Sequence, residues 1–187
     1  MNFPVFDFHC DTALVLLGDD LNQAGSLRKN NGHIDLERAG ELGGYAQCFA
    51  CFTTDIPELL HGISPILLFE RELATIQREV DKNSDLISIA YSTEEIEENR
   101  ASGKMSAILT LEGTAGIDYN PELLGDLWAI GFRVSSLGWN EKKSSYRLQC
   151  HRRRPDRLGQ GGCEGGPTAG NAHRRQPHQR RRLLGHH

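Results

Sequence analysis

The 187-residue chain lacks any apolar run long enough to cross a bilayer, which takes about 20 consecutive apolar residues. Its first residues lack the basic segment and the uninterrupted apolar stretch of a signal peptide, because Asp7 interrupts the first apolar run. Its five cysteines are an odd number and give no disulfide framework. From these absences we expect a soluble, cytoplasmic protein with free thiols and no membrane partner.

The chain also lacks an even distribution of charge and of apolar residues. Ten of the 21 basic residues but only two of the 25 acidic residues lie in 144–187, so this segment carries a formal charge of +8 and residues 1–143 carry −12. The segment contains no Ile, Val, Met, Phe or Trp. It cannot bury enough apolar surface to offset the entropy of ordering. We therefore expect a folded domain over 1–143 and a disordered tail over 144–187.

The tail is rich in Arg, Gly, Pro, His and Gln, which is typical of GC-rich DNA translated in the wrong frame. Permitted codons for residues 146–186, read with a shift of one base, can spell an ordinary globular sequence that includes the segment VSHIS. Adenine-rich codons for Lys142 and Lys143 offer a place where the frame could change. We interpret the tail as an out-of-frame segment.

A nucleic-acid-binding arm is the alternative interpretation of the tail. Its arginine clusters at 152–154, 174–175 and 180–182 would neutralise phosphates and bind nucleic acid without sequence preference. However, Tyr146 is the only aromatic residue of the tail, so the stacking surface of a single-strand binder is missing. No zinc-finger spacing connects the tail cysteines and histidines. We expect no specific nucleic-acid partner.

Two motifs point to a metal site in the folded domain, and the first is His9-Cys10-Asp11. It closes an apolar run, residues 3–8, that predicts a buried first strand. Side chains alternate between the two faces of a strand, so His9 and Asp11 should share a face with Asp7, while Cys10 should face the core. An imidazole and a carboxylate side by side at a strand end can bind one divalent cation.

The second motif is the apolar segment 107–111 with Glu112 and Gly113 at its end. It predicts a parallel strand that is buried on both faces. In a parallel α/β barrel the C-terminal ends of the strands form the rim of the active site, so Glu112 should lie beside His9 and Asp11. Because a carboxylate has two oxygens and can bridge two metals, Glu112 is a candidate catalytic residue as well as a candidate metal ligand.

The rest of the folded domain predicts strands and helices in alternation. The predicted strands are 45–53, 86–91 and 132–137, and the predicted helices are 35–42, 57–81, one that begins at the N-cap Thr93, and 121–130. Such alternation is typical of a parallel sheet. A complete barrel takes about 250 residues, so residues 1–143 should form the N-terminal half of a (β/α)8 TIM-type barrel. The exposed sheet edge of a half-barrel leaves homo-oligomerisation open.

Five segments of the domain occur in the order and at about the spacing of one enzyme family: 6–11, 33–38, 44–50, 109–113 and 131–141. On these segments the chain resembles the membrane (renal-type) dipeptidases of peptidase family M19. The resemblance implies a barrel with a binuclear zinc site that hydrolyses dipeptides. It also implies that His9 and Asp11 bind one zinc and that Glu112 bridges both. The second zinc's histidines would lie beyond the start of the tail, so this chain should hold at most one zinc.

We therefore expect a zinc-dependent hydrolase of small dipeptides, of which this chain is a truncated and inactive member. One alternative is a non-catalytic remnant whose arginine-rich tail binds nucleic acid non-specifically. Another is a different barrel metallohydrolase, such as an amidohydrolase. Amidohydrolases usually begin with His-x-His, and Asp11 in place of the second histidine argues against that class.

Overall fold

The computed structural model describes residues 4–18, 25–60 and 62–139, so the predicted tail lies outside the described residues. Five parallel strands form a single sheet in these ranges. They are β1 (Val5–Cys10), β2 (Tyr45–Phe52), β3 (Ile87–Ile89), β4 (Met105–Glu112) and β5 (Phe132–Ser136). The parallel sheet with helical connections confirms the predicted α/β class.

Helices occupy most of the connections between the strands. The α-helices are α1 (Thr12–Leu17), α2 (Leu36–Ala39), α3 (Pro65–Lys82), α4 (Thr93–Ala101) and α5 (Leu124–Ile130). Short 3-10 helices lie at Pro57–Leu59, Ala115–Ile117 and Pro121–Leu123. Across the described ranges, no helix is both long and apolar enough to span a membrane.

The single long helix predicted over 57–81 is wrong, because the structure divides it into a 3-10 turn and α3. Gly62 has a φ of +83°, a left-handed conformation that ends any helix started at Pro57. The hydroxyl oxygen of Ser64 then accepts a hydrogen bond from the amide of Leu67 and caps α3. Pro65 follows at the first helical position, where its missing N–H leaves no hydrogen bond unmade.

The predicted N-cap of α4 is also wrong, because Ser92 takes this role and not Thr93. The Ser92 hydroxyl oxygen accepts a hydrogen bond from the Glu95 amide at 3.2 Å. The Glu95 carboxylate in turn accepts one from the Tyr91 amide at 2.7 Å. The pair satisfies two amides at the start of the helix, as in a capping box. When the helix start is moved back by one residue, from Thr93 to Ser92, the sequence contains both the capping serine and the glutamate three residues after it.

β2 and β4 form the centre of the sheet. β1 pairs with one edge of β2, and β4 pairs with the other edge from Ser106 to Glu112. β3 and β5 share the far edge of β4 and lie end to end along it. Arg133 of β5 connects this strand to the segment after β3, since it donates a hydrogen bond to the Tyr91 carbonyl at 2.8 Å. Its guanidinium also stacks 3.9 Å above the ring of Trp128 in α5.

Helices cover both faces of this sheet. The main core lies on one face, where Phe49 and Leu109 pack with buried side chains of α3 and α5. On the opposite face, Ile96 of α4 packs against Cys48 and Ile108. In a closed barrel the helices form an outer ring, whereas α4 covers the N-terminal half of the face that would line the barrel. The C-terminal half of that face is left for the predicted site.

β1 was predicted to be buried, and the structure shows an exposed edge strand instead. Phe6 and Phe8 are 46% and 78% exposed, and their rings lie 4.8 Å apart. Burial of an apolar strand depends on a neighbour on each edge and each face, and β1 pairs only with β2 among the described residues. The apolar sequence of β1 therefore predicted the strand correctly but predicted its burial incorrectly.

Candidate metal centre

The three predicted ligands meet at the C-terminal ends of β1 and β4. His9 Nε2 lies 3.2 Å from Asp11 Oδ1 and 3.6 Å from Glu112 Oε2. One ligand atom from each residue lies within 4.8 Å of the other two. A tetrahedral ion with ligands at about 2.0–2.2 Å holds its ligand atoms about 3.3–3.6 Å apart. The three side chains therefore fit one divalent cation with only small movements.

Glu112 is held in place by the strands on both sides of β4. Its carbonyl oxygen accepts a hydrogen bond from the Thr53 amide at 2.8 Å, just after β2. The next amide, of Gly113, donates to Ser136 Oγ of β5 at 2.9 Å. Gly113 has a φ of +82°, so the chain turns away directly after the carboxylate. Burial raises the pKa of the Glu112 carboxyl.

His9 and Asp11 approach the cluster from the exposed end of β1. Asp11 occupies the N-cap position of α1, yet its side chain makes no capping hydrogen bond and lies beside His9. Both side chains are about half exposed. The ring nitrogen of His9 that faces the two carboxylates is the atom that would bind a metal, so a proton and a cation compete for it.

A β-bulge in β1 overturns the prediction that Asp7 shares a face with His9. Asp7 pairs with Gln47, but Cys10 pairs with Phe49, so β1 contains one additional residue in this interval. The Asp7 carboxylate accepts a hydrogen bond from the Tyr45 hydroxyl at 3.3 Å, on the face opposite to the cluster. Cys10 contributes to the main core, as predicted, and burial raises the pKa of its thiol to about 11.

Glu72 of α3 is a further acid near this site that the sequence analysis missed. Its side chain is fully buried, and neither oxygen makes a hydrogen bond of good geometry to the described residues. Burial, with the negative charges of Asp11 and Glu112 adding to it, raises the pKa of Glu72 well above its ordinary value. A signal was present, because Glu72 lies one helical turn from both Leu68 and Ile76 on the apolar face of α3.

The model of the family described as membrane dipeptidase (peptidase family M19) matches residues 1–154 of the chain. The chain belongs to peptidase family M19. This finding confirms the resemblance that the five sequence segments indicated. A relative of this M19 chain, an uncharacterized protein in the PQQ-III 3′ region of Acinetobacter calcoaceticus, is 29% identical over 182 residues. The alignment covers 86% of the M19 chain and 52% of the relative, so the chain spans about half the length of that curated protein.

Solved structures of family relatives share the fold. The metallopeptidase dipeptidase AC superposes with a TM-score of 0.61 at 22% identity, over 75% of the M19 chain and 44% of its own. A metallopeptidase from Rhodobacter sphaeroides, bound to a phosphinate mimic of the dipeptide L-Ala-D-Ala, gives 0.60 at 20% identity, over 75% and 47%. The probable dipeptidase PvdM from Pseudomonas aeruginosa gives 0.56 at 20% identity, over 73% and 34%. The M19 chain therefore has part of a TIM-barrel-like metallo-dipeptidase fold.

Proposed function

We propose that the M19 enzyme represented by this chain hydrolyses dipeptides with zinc, and that His9, Asp11 and Glu112 are metal ligands. The observation that supports this most strongly is the meeting of one imidazole and two carboxylates at neighbouring strand ends, at distances suited to one cation. Nitrogen and oxygen ligands of these types are those of catalytic zinc sites. Family membership then gives the reaction class.

Each of the three residues has a distinct part in this proposal. His9 supplies an imidazole nitrogen, which lies beside both carboxylates of the cluster. Asp11 faces the same nitrogen and adds the first negative charge. Glu112, fixed by Thr53 and Ser136 through the backbone, has a second oxygen available for a neighbouring metal. A bound zinc would polarise the scissile carbonyl and lower the pKa of a metal-bound water.

We further propose that the 187-residue chain binds one zinc and hydrolyses dipeptides at no more than background rate. The described residues contain a single group of three or more candidate metal ligands, whereas a two-metal centre needs additional ligands. The chain spans about half the length of its relative. We assign the remaining ligands to the continuation that the shifted reading frame after Lys142 would restore.

Calorimetric titration with zinc tests the ligand assignment directly. We expect one site per chain, and we expect Glu112→Gln and Asp11→Asn each to weaken it at least as much as the roughly 10–100-fold cost of losing an outer-shell partner. Asp7→Asn is the matched control, because the Asp7 side chain faces Tyr45 and contacts His9 only by accepting a hydrogen bond from its backbone amide, which asparagine can still accept. If Asp7→Asn weakens zinc binding as much as Asp11→Asn does, the ligand assignment is wrong.

Hydrolysis of a simple dipeptide with added zinc tests the activity. We expect background turnover for the 187-residue chain and clear turnover for the protein with its frame restored after Lys142. In the restored protein, Glu112→Gln should abolish turnover, because an amide does not bridge two cations as a carboxylate does. Robust turnover by the 187-residue chain, or none by the restored protein, would contradict the proposal.

A further inference from the structure

An aromatic pair lies directly beside the candidate metal centre. Phe52 is the last residue of β2 and pairs in register with Glu112, so the two side chains leave the same face of the sheet at the same height. Trp139 follows β5, and its ring meets the ring of Phe52 at a centroid distance of 5.0 Å and an angle of 85°. This edge-to-face contact is a favoured geometry for aromatic pairs.

The pair extends across the end of the strand that carries Glu112. β2 pairs with one edge of β4, and Ser136 of β5 pairs with Glu112 at the other edge. The contact between Trp139 and Phe52 therefore connects the two sides of β4 near its C-terminal end. The Glu112 carboxylate on that strand lies 3.6 Å from His9 Nε2, so the pair and the metal cluster share this end of β4.

The pair gives the polar cluster an apolar boundary. Phe52 and Trp139 are both partly exposed, so each ring retains surface that a ligand can contact. The His9 and Asp11 side chains of the cluster are about half exposed, so a ligand can also reach the cluster itself. A molecule with a metal-binding oxygen next to an apolar group would place its oxygen at the cluster and its apolar group against the rings.

We propose that Phe52 and Trp139 form a specificity wall that binds the apolar side chain of the substrate residue whose carbonyl approaches the metal. The substrate class is then dipeptides with a large apolar or aromatic side chain at that residue. This inference rests on the proposed function, because the metal is what brings the carbonyl group to the cluster. Burial of an aromatic ring against this pair favours such substrates over those with a methyl side chain.

Binding of two hydroxamates to the zinc-loaded chain tests the wall without requiring turnover. The chain has two tryptophans, so Trp128→Phe leaves Trp139 as the only tryptophan and makes its fluorescence a specific signal. In this background we expect phenylacetohydroxamate to bind about tenfold tighter than acetohydroxamate and to change the emission of Trp139. In Phe52→Ala the preference should fall to within about twofold, while zinc affinity stays within about twofold.

Two further variants separate a loss of hydroxamate preference from a general loss of stability. Phe52→Leu retains apolar volume without the ring, so it should lose part of the preference in a chain of near-normal stability. Leu124→Ala removes a partly exposed apolar side chain of α5 and should leave the preference unchanged. If the chain binds zinc but then binds both hydroxamates with equal affinity, the specificity wall is wrong and the metal site stands. Absence of zinc binding in the unaltered chain would overturn the proposed metal site together with the wall.

Discussion

β1 and β4 both deliver side chains to the candidate metal centre, but they do so from opposite situations in the sheet. β4 has neighbours on both edges, and seven of its eight residues are buried. Among the described residues, β1 has one neighbouring strand, one buried residue of six, and a bulge between Asp7 and Cys10. Glu112 is therefore held rigidly, whereas His9 and Asp11 are carried by an edge strand with few restraints.

The comparison shows that two strands with similar apolar sequences differ in burial, because burial depends on which strands and helices pack against them. Phe6 and Phe8 are as apolar as any residue of β4, and both are exposed. A metal that binds all three ligands would connect the exposed end of β1 to the buried end of β4. We therefore expect metal binding to restrain β1 far more than β4.

Truncation of one apolar side chain in each strand should give the largest contrast. Leu109→Ala removes a fully buried side chain at the centre of β4 and should cost about 2–5 kcal/mol of the free energy of unfolding. Phe8→Ala removes a side chain that is 78% exposed and should change it by less than about 0.5 kcal/mol. Urea denaturation of both variants measures the contrast. Equal losses would show that β1 is buried in solution.

The sequence sufficed to locate the strands and to select the three residues that the structure brings together, because these depend on local patterns. An apolar run followed by a carboxylate is visible in residues 3–11 and 107–113. The meeting of His9 and Glu112 also follows from parallel strands, whose C-terminal ends share one edge of the sheet. The fold class and the family were predictable for the same reason.

The features that depend on pairing between distant segments were not predictable. The face of Asp7 depends on a bulge that exists only in the pairing of β1 with β2. The placement of α4 on the inner face depends on Ile96 meeting Cys48 and Ile108. The contact of Phe52 with Trp139 joins residues that no motif connects. Each of these requires three-dimensional contacts that a single sequence does not encode locally.

Glu72→Gln tests whether the buried acid near the ends of both strands is uncharged in the metal-free protein. Burial raises the pKa of Glu72 in the folded protein. In the unfolded protein Glu72 ionises near the ordinary glutamate pKa of about 4.3, so the folded state loses stability as the pH rises above that value. Each unit of difference in pKa amounts to about 1.4 kcal/mol. The glutamine variant lacks this loss, so its stability relative to the parent should increase with pH.

Urea denaturation of both metal-free proteins at pH 5 and pH 8 gives the measurement. The difference in free energy of unfolding should favour the glutamine variant more at pH 8 than at pH 5. Glu70→Gln on the same helix is the matched control, because Glu70 is only partly buried. A difference that stays constant with pH would show that Glu72 is ionised in the folded chain.

Ser92→Ala should give the smallest of these effects, and it tests the covering of β4 by α4. Ser92 caps this helix through the Glu95 amide, and loss of such a cap costs about 1 kcal/mol. Thr93→Ala is the control, because the structure assigns no capping bond to Thr93 and its replacement should change stability by less than about 0.5 kcal/mol.

Hydrogen exchange of the Ser92→Ala variant shows which strands lose protection. Since Ile96 packs on Ile108, the Ser92 variant should exchange faster in β4 and unchanged in β1. Equal acceleration in both strands would mean that α4 stabilises the whole sheet and not its central strand.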